Sequence, residues 1–416
     1  MTAPAQTPAE LLRLSALLRS DNRISAEAVE MVEEGREWFV DRRQDRAVWD
    51  CLLAMAEAHG MRPLLYRFLS SAEGNVGRTL VCPQPGQTKV RPTFPDYVTA
   101  MLREFTQQNL KKNLRMSGEL IHLLRLFAGQ GVDVIPFKGP TLAALAYGDL
   151  GLREFGDLDL LIAKPDFMKA QELLIARGYQ PEILLNARQA AAFAEACNVM
   201  AFWHAEKEIS VEAHWGLSPK YLPFSPDFER LRRRMVPSHP GGQTVMTLSP
   251  EDLLVYLCAH GAKHAWERLI WIADVGALIH GHSNLDWGGV HDLAVEQRCE
   301  RVLSLGLRLA RDVAGVALPA RMEEFVRSDA ESEKLAAKVT YRLFLDPDSS
   351  RGLGPQTLFI FKCQRRWADK IRSFARLMTT SSSADWISFP SLRRFPGLYP
   401  LLRPLRLMIK MVRGAR

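Results

Sequence analysis

The chain has 416 residues, of which 47% are hydrophobic and 24% are charged, a composition typical of a soluble globular protein with a sizeable core. A chain of this length favours two or three packed units over a single one. Its six cysteines include no CxxC pair, which argues against a structural zinc site or a disulfide framework and is typical of a reducing cytoplasm.

The net charge of +7 is unevenly distributed. From Arg351 to the end, 14 Lys and Arg stand against two Asp, whereas the first 350 residues carry an acidic excess of five. No apolar run approaches the roughly 20 residues needed to span a bilayer, and the N-terminus lacks the basic patch and apolar stretch of a secretory signal. We therefore expect a cytoplasmic protein whose basicity belongs to its tail.

The first part of the chain has the apolar spacing of helices from residue 8 to about 130. The stretch from Thr7 to Glu10 has the form of a capping box with proline at the first helical position. A turn-rich stretch at 73–95 predicts a loop. This part contains no carboxylate cluster or glycine loop, so we predict a helical N-terminal region, 1–130.

The pattern changes at Gly131, where short β-branched and alternating stretches begin. Strands are predicted at 132–137, 157–162, 198–204 and 208–215, and helices at 141–147 and 165–177. We predict an α+β fold, in which a small mixed sheet over 131–248 carries helices and is flanked by larger helical regions on both sides.

A second helical region is predicted for 249–378. Ser249 followed by Pro250 has the signature of a helix N-terminus, and helical periodicity continues over 266–280, 288–315, 320–345 and 355–378. Residues 379–400 are rich in serine, proline and aromatics, which predicts irregular structure at the start of a basic, aromatic-rich tail, 379–416.

Three acidic residues in the central region form a candidate site. Asp157 and Asp159 are two apart on a predicted strand, so their side chains point to the same face. Two carboxylates this close repel each other unless a cation or a proton lies between them. Glu212, on a later strand, supplies a third oxygen ligand. Carboxylate oxygens without a nearby thiolate favour Mg²⁺ or Mn²⁺.

A glycine turn precedes these acids. Gly139 lies between a predicted strand and a predicted helix, where backbone can approach a triphosphate and a helix N-terminus favours anionic oxygens. Lys138 and Arg153 supply positive charge nearby. For both basic residues, a surface or salt-bridge role remains the alternative to phosphate binding.

The stretch F-K-G-P, followed by Y-G-D-L-G-L-R-E-F-G-D-L-D-L-L-I and then V-E-A-H-W, resembles a known family. The order of glycine turn, Asp-x-Asp strand and later strand acid is similar to the DNA polymerase β-like nucleotidyltransferase superfamily. More narrowly, it resembles the bacterial group of uncharacterised nucleotidyltransferases, over roughly residues 131–280.

The resemblance implies roles for individual residues. Asp157, Asp159 and Glu212 match the metal-binding, catalytic acids, and Gly139 matches the turn glycine. Lys138 and Arg153 match the basic positions. One departure is that the superfamily usually has a serine after the turn glycine, where this chain has Pro140, without an amide hydrogen or a hydroxyl.

The nucleotide site that follows comprises the turn and the residues beside the acids: Lys138, Gly139, Thr141, Arg153 and Gly156. Thr141 or Lys138 would compensate for the missing serine. The predicted reaction transfers a nucleoside monophosphate from a nucleoside triphosphate to an unidentified acceptor and releases pyrophosphate. The alternative is a catalytically inactive adaptor with the same fold that binds a nucleotide or an anionic surface.

Other histidines and tryptophans were weighed against this site. His260 and His264 are four apart on a predicted helix, where packing or nucleotide contact is favoured over a zinc site because no H-E-x-x-H arrangement is present. His214 either orients Glu212, contacts substrate or has a structural role. Helical spacing indicates packing around a buried ion pair for four further residues, Trp266, Arg268, Trp271 and Asp274. Neither GxSxG nor a Walker A loop occurs in the sequence.

The tail offers a different class of function. Four basic residues recur on one predicted helical face, Arg403, Arg406, Lys410 and Arg413. With the aromatics just before them, residues 385–416 are compatible with peripheral contact with an anionic membrane, at the inner face in a cytoplasmic protein. Nucleic-acid binding would use the same charges with aromatic stacking on bases and is the less favoured partner. A terminal helix packed on the enzyme is the alternative to both.

Overall fold

The computed structural model describes residues 45–75, 94–344 and 353–413. The predicted cap at Thr7 and most of the predicted loop at 73–95 lie outside the described residues. The described chain is α+β, with a five-stranded mixed sheet, a two-stranded sheet and helices before and after them. The fold class predicted from the sequence is therefore confirmed. The division at residues 130, 248 and 378 stays a prediction.

Three of the described helices precede the sheet: α1 (Arg46–His59), α2 (Arg62–Asn75) and α3 (Asp96–Gly129). Apolar side chains of α3 are buried at helical spacing, among them Leu120, Leu123 and Phe127. Two of its asparagines, Asn109 and Asn113, are buried as well, and both donate to backbone carbonyls of the loop that precedes the second strand. The 34-residue helix therefore supports that loop.

The larger sheet contains five short strands: β1 (Val134–Pro136), β2 (Asp157–Ile162), β3 (Gln180–Pro181), β4 (Val199–His204) and β5 (Ile209–His214). Their spatial order is β1-β2-β5-β4-β3. Only β2 and β5 pair in parallel among the described strands, and the other pairs are antiparallel. The four strands predicted from the sequence are all present, whereas the two-residue β3 was not predicted.

Helices connect and cover the strands. They are α4 (Gly139–Leu142), which continues as a π-helical turn (Ala143–Tyr147), α5 (Phe167–Ala176), α6 (Ala187–Ala196) and α7 (Phe228–Arg233). A hairpin of β6 (Val236–Ser238) and β7 (Val245–Thr247) follows. The hydroxyls of Thr247 and Ser238 donate to the carbonyls of Pro136 and Thr141. The hairpin thus fixes the turn between β1 and α4.

The second helical region begins at Ser249, whose side chain accepts from the amide of Asp252 as predicted. Its helices are α8 (Pro250–Lys263), α9 (Leu269–Gly281), α10 (Trp287–Glu296), α11 (Glu300–Ala314), α12 (Ala320–Ser328), α13 (Ala330–Phe344), α14 (Leu353–Lys362), α15 (Trp367–Thr379), α16 (Ser383–Ser388) and α17 (Tyr399–Arg413). In this described part, no helix is long and apolar enough to cross a membrane.

The prediction of irregular structure over 379–400 is wrong at α16. Ser382 caps this helix, because its side chain and amide both bond to Asp385. Trp386 and Tyr399 are 1% exposed and stack at 4.6 Å inside the core that contains the sheet. These aromatics are therefore packing residues and are not free to stack on bases.

The predicted basic face of the last helix is turned inward at two of its four positions. Arg403 is 4% exposed and forms an ion pair with Asp385, which also pairs with Arg406. A buried carboxylate needs counter-ions, and α17 supplies them to α16. The side chains of Lys410 and Arg413 lie outside the described residues. The outward face of α17 is apolar, with Leu401, Leu405 and Met408 more than half exposed.

Asp385→Ala is expected to lower the free energy of unfolding by about 3–5 kcal/mol, because it leaves the buried Arg403 without its carboxylate. Denaturant unfolding measures the change. The control Asp292→Ala removes an aspartate whose side chain is 82% exposed and is expected to shift stability by less than about 0.5 kcal/mol. Equal effects of the two substitutions would contradict this account of the tail.

Candidate active site

The pairing of β2 with β5 brings acidic residues from distant parts of the chain side by side. In the parallel register, Asp159 is level with Glu212 and Asp157 is level with Ser210. Because side chains alternate along a strand, Asp157, Asp159, Glu212 and His214 share one face of the sheet. The structure thus places the three predicted acids together and adds a histidine.

The loop before β2 is held in place by α3. Besides the contacts of Asn109 and Asn113, the ammonium of Lys112 donates to the carbonyl of Phe155 at 2.5 Å. Gly156 follows, is exposed, and a Cβ at this position would meet no atom within 4 Å. The chain therefore enters β2 with an open approach beside Asp157.

Lys138 reaches the acids from the turn between β1 and α4. The amide of Phe137 donates to the carbonyl of Asp159 at 3.3 Å, and the Lys138 ammonium lies 2.7 Å from Oδ1 of Asp159. Burial disfavours the charged ammonium, but the negative charge of Asp159 outweighs burial and holds the pKa of Lys138 above its usual range. Lys138 is a fixed counter-ion of Asp159.

His214 is a second partner of the acids. Its Nε2 lies 3.2 Å from Oδ1 of Asp159 and 3.2 Å from Oε2 of Glu212, and its ring packs edge-on against Phe137. Burial favours neutral imidazole, yet the hydrogen bonds to the two acids raise the pKa of His214 above its ordinary value. Among the sequence alternatives, the geometry favours a role in orienting the carboxylates.

The three acids have different proton affinities. Burial and the charge of Asp159 raise the pKa of Asp157 to about 6. Burial also disfavours the charge of Asp159, but Lys138 and His214 overcome it and keep its pKa below the ordinary value. The hydrogen bond from His214 lowers the pKa of Glu212. Asp157 is thus the acid without a tightly bound counter-ion.

The turn glycine is required by its backbone. Gly139 has a φ of 52°, in the left-handed region, and a Cβ there would lie 3.0 Å from the carbonyl oxygen of Asp157. Thr141 is fully buried and its hydroxyl donates to the carbonyl of Lys138 at 2.9 Å. In this structure Thr141 therefore fixes the turn, and its hydroxyl does not replace that of the missing serine.

Arg153 lies near the acids but is held by another partner. Its Nε and Nη2 donate to the two carboxylate oxygens of Asp274 at 2.8 and 3.0 Å, and the hydroxyl of Tyr147 donates to Asp274 at 2.8 Å. Asp274 thus belongs to a buried ion pair, but its partner is Arg153, whereas Arg268, the basic residue of the group from which the pair was predicted, is exposed. The structure favours the salt-bridge alternative for Arg153 over direct phosphate contact.

The donor set fits a divalent cation. One ligand atom each of Asp159, Glu212 and His214 lie within 4.8 Å of one another, and Asp157 is not part of this closest group. Oδ2 of Asp159 is buried without a hydrogen-bond partner among the described residues, as expected of an oxygen left for a ligand. Oxygen donors with one imidazole are compatible with Mg²⁺ or Mn²⁺.

Helix α8 adds residues that the sequence did not assign to the site. Tyr256 packs edge-on against Phe137, beside the turn, and its ring also lies near that of His260. His260 and His264 pack on each other and on Trp271. Burial and the charge of Lys138 lower the pKa of His260 well below its ordinary value. The spacing of four residues along α8 was the available signal.

Comparisons with known proteins identify a family. The family model described as uncharacterised nucleotidyltransferase matches residues 45–315, more than half of the chain. No curated protein matches the chain, and neither does any solved structure.

Replacing the two aspartates of β2 by asparagine is expected to change stability in opposite directions. Asp157 has a pKa of about 6 in the folded protein, above the ordinary value near 4, so its ionisation costs folding free energy above pH 6. Asp157→Asn removes that cost, which is at most about 3 kcal/mol. The gain is expected at pH 8 and absent below about pH 4.

Asp159→Asn is expected to destabilise, because Lys138 and His214 lose a buried carboxylate, a change that costs about 3–5 kcal/mol. Asp159 has a lowered pKa and so contributes stability at neutral pH that is lost as the pH falls. Denaturant unfolding in a chelator compares both variants with Asp133→Asn, an exposed control. Shifts of the same sign at pH 8 would contradict the assigned electrostatics.

Proposed function

We propose that this chain, which belongs to the family of uncharacterised nucleotidyltransferases, transfers a nucleoside monophosphate from a nucleoside triphosphate to an acceptor with the help of Mg²⁺ or Mn²⁺. The observation that carries the proposal is the register of β2 and β5, which sets Asp159 beside Glu212 with Asp157 on the same face. Family membership supports nucleotidyl transfer in general, and the acids supply the chemistry.

The charge of the site favours a divalent cation. Three carboxylates face the Lys138 ammonium, and His214 forms hydrogen bonds with two of them, which leaves a local negative excess. Asp157, Asp159 and Glu212 would hold the ion, with His214 orienting the last two. When bound, such an ion stabilises the charge that develops on the transferred phosphoryl group and on the leaving pyrophosphate.

Asp157 and Asp159 contribute in different ways. Asp159 is kept ionised by Lys138 and His214, so it offers a carboxylate at any physiological pH. Asp157, with a pKa of about 6, is ionised at neutral pH at a cost in folding free energy. A nearby positive charge relieves this cost, so binding of a metal ion at the site is favoured.

Glu212 is closer to solvent than Asp159 is. Its side chain is 35% exposed, against 0% for that of Asp159, so an acceptor hydroxyl can approach it. In the proposed reaction the hydroxyl gives its proton to the Glu212 carboxylate, its oxygen bonds to the α-phosphorus, and the bond from the α-phosphorus to the oxygen that bridges to the β-phosphate breaks. Pyrophosphate carries away the bonding electron pair.

The turn at Gly139 and the open backbone at Gly156 would receive the triphosphate. Lys138 contributes positive charge there, and Thr141 holds the carbonyl of Lys138. Pro140 offers no amide hydrogen, so fewer backbone donors are available than in the wider superfamily. Arg153, bound to Asp274, acts on this site through its charge.

Metal-dependent nucleotide binding tests the proposal. Equilibrium dialysis of each common nucleoside triphosphate, with Mg²⁺ or with a chelator, is expected to detect binding to the wild type only in the presence of metal. Glu212→Gln is expected to weaken this binding by more than about 100-fold, because removal of even an outer-shell partner costs about 10- to 100-fold. Pyrophosphate release in the presence of a cell extract measures turnover.

The control is Glu206→Gln, which changes an exposed glutamate in the turn between β4 and β5 and should bind as the wild type does. If no triphosphate binds, or if Glu212→Gln binds equally well, the transferase proposal fails. The inactive adaptor would then be the better interpretation.

Peripheral contact with an anionic membrane is a separate proposal for the C-terminal segment. Apolar side chains spaced by four and three residues are exposed on α15 and on α17: Trp367, Ile371, Phe374, Leu401, Leu405 and Met408. From Arg351 onward the chain also carries a charge of +12. Exposed apolar side chains on a basic segment are typical of interfacial helices. Nucleic-acid binding has less support, because Trp386 and Tyr399 are buried.

Vesicle co-sedimentation tests the membrane proposal. The full chain is expected to bind vesicles that contain phosphatidylglycerol more strongly than vesicles of phosphatidylcholine. Leu401→Ser with Leu405→Ser should weaken that binding by about tenfold or more. Leu184→Ser, which changes a leucine that is 76% exposed elsewhere, is the control. The membrane proposal would be overturned if the full chain bound no vesicles or if all variants bound equally well.

A further inference from the structure

A cavity of about 510 Å³ lies where the C-terminal segment meets the sheet, a size within the range of small-molecule sites. Its walls come from α14, α15, α16 and α17, from the end of α8, and from the start of β4. Most of these elements follow residue 352 and so lie outside the segment, 45–315, that matches the family.

Most of the lining is apolar. Side chains from four elements contribute, including Val199, Ile360, Phe361, Leu377 and Leu407. Apolar walls gain free energy by covering an apolar ligand in place of water. The body of the ligand is therefore expected to be aliphatic or aromatic.

The charged lining has one sign. Lys220, Lys263, Arg403 and Arg406 line the cavity, and no aspartate or glutamate is among the described residues of its wall. Three of the four have protein partners: Asp385 binds both arginines, and Lys220 bonds to the carbonyl of Glu195. Lys263 has no side-chain hydrogen bond or ion pair with any described residue.

Lys263 is therefore an ammonium without a counter-ion in a largely enclosed setting, where burial lowers its pKa. Removing a charge from water without a partner costs free energy, and a ligand anion would supply that partner. An anionic group of a ligand placed beside Lys263 would therefore serve as its counter-ion.

The same lysine connects the cavity to the acids. The charges of Lys138, Glu212 and Asp159 all act on Lys263. His264, next in the chain, also lines the cavity and is affected by Lys138 and Glu212. Val199, at the cavity wall, pairs in register with His214. The cavity thus adjoins the site at which an acceptor hydroxyl would lose its proton.

We propose that this cavity is the acceptor site and takes a small amphiphile, with an apolar body between α14, α15 and α17 and an anionic group at Lys263. The acceptor role rests on the proposed nucleotidyl transfer, whereas the binding of an amphiphilic anion does not. On this view, residues 353–413 select the acceptor, and the family segment performs the chemistry.

Two probes with the same aromatic body separate the apolar and the charged contributions. Anilinonaphthalene sulfonate carries one anionic group, and phenylnaphthylamine lacks it. Fluorescence titration of the full chain is expected to show saturable binding of both. Lys263→Met should weaken sulfonate binding by about tenfold, leave phenylnaphthylamine binding unchanged, and be largely rescued by Lys263→Arg.

Substitutions that fill the cavity should abolish the binding of both probes. Thr357→Trp and Leu377→Trp each place an indole in it and are expected to abolish saturable binding, whereas Ile371→Ser changes an exposed residue outside the lining and should have no effect. If the filling variants bind both probes as the wild type does, or if Lys263→Met weakens both equally, the cavity assignment is overturned.

Adding nucleotide tests the acceptor role. An acceptor site must be occupied together with the triphosphate. The affinity of the protein for anilinonaphthalene sulfonate should therefore change by less than about threefold when magnesium and whichever triphosphate binds are added at saturating concentrations. Mutual exclusion would assign the cavity to the nucleotide and overturn the acceptor role. If no triphosphate binds while the probe results hold, the proposed transfer fails and the amphiphile site stands.

Discussion

The structure depends on one cluster of acidic side chains on the face of the larger sheet. Parallel pairing of β2 and β5 sets Asp159 beside Glu212, and the two-residue period of β2 adds Asp157. Carboxylates at this density fold together only if cations compensate them. Lys138 supplies such a cation, His214 forms hydrogen bonds with two of the acids, and the elements around them hold these two side chains in place. The hairpin β6–β7 fixes the turn that carries Lys138, and α3 fixes the loop that leads into Asp157.

The negative charge of the acids is only partly neutralised, and this lowers the stability of the fold. Asp159 is paired so tightly that it stays ionised, whereas Asp157 has no fixed counter-ion and its pKa is raised to about 6. A fully neutralised cluster would be more stable and would have less affinity for a further cation. A carboxylate that costs folding free energy when ionised is typical of a binding site, because a ligand of opposite charge can recover that cost.

Local regularities made part of this site predictable. Alternation along one strand predicted that Asp157 and Asp159 share a face, and the presence of Gly139 between a predicted strand and a predicted helix indicated a turn. Long-range partners were beyond such reasoning, because no local pattern specifies them. The pair of Arg153 with Asp274 joins residues 121 apart, and the spacing of Arg403 and Arg406 predicted one helical face without indicating that it turns inward toward Asp385. The fold class was predicted, but the contacts that close it were not.

The distribution of charge suggests how chemistry and selectivity divide along the chain. The acids lie on strands within the segment that matches the family, whereas the cavity beside them takes most of its wall from residues after 352. Asp385 forms ion pairs with Arg403 and Arg406 of α17, and Lys263 alone among the described cations of that wall remains unpaired. A cationic residue between an acidic centre and an apolar cavity would attract an anionic group and leave the acids to the metal and the hydroxyl. The C-terminal helices can then vary their lining without disturbing the register of β2 and β5.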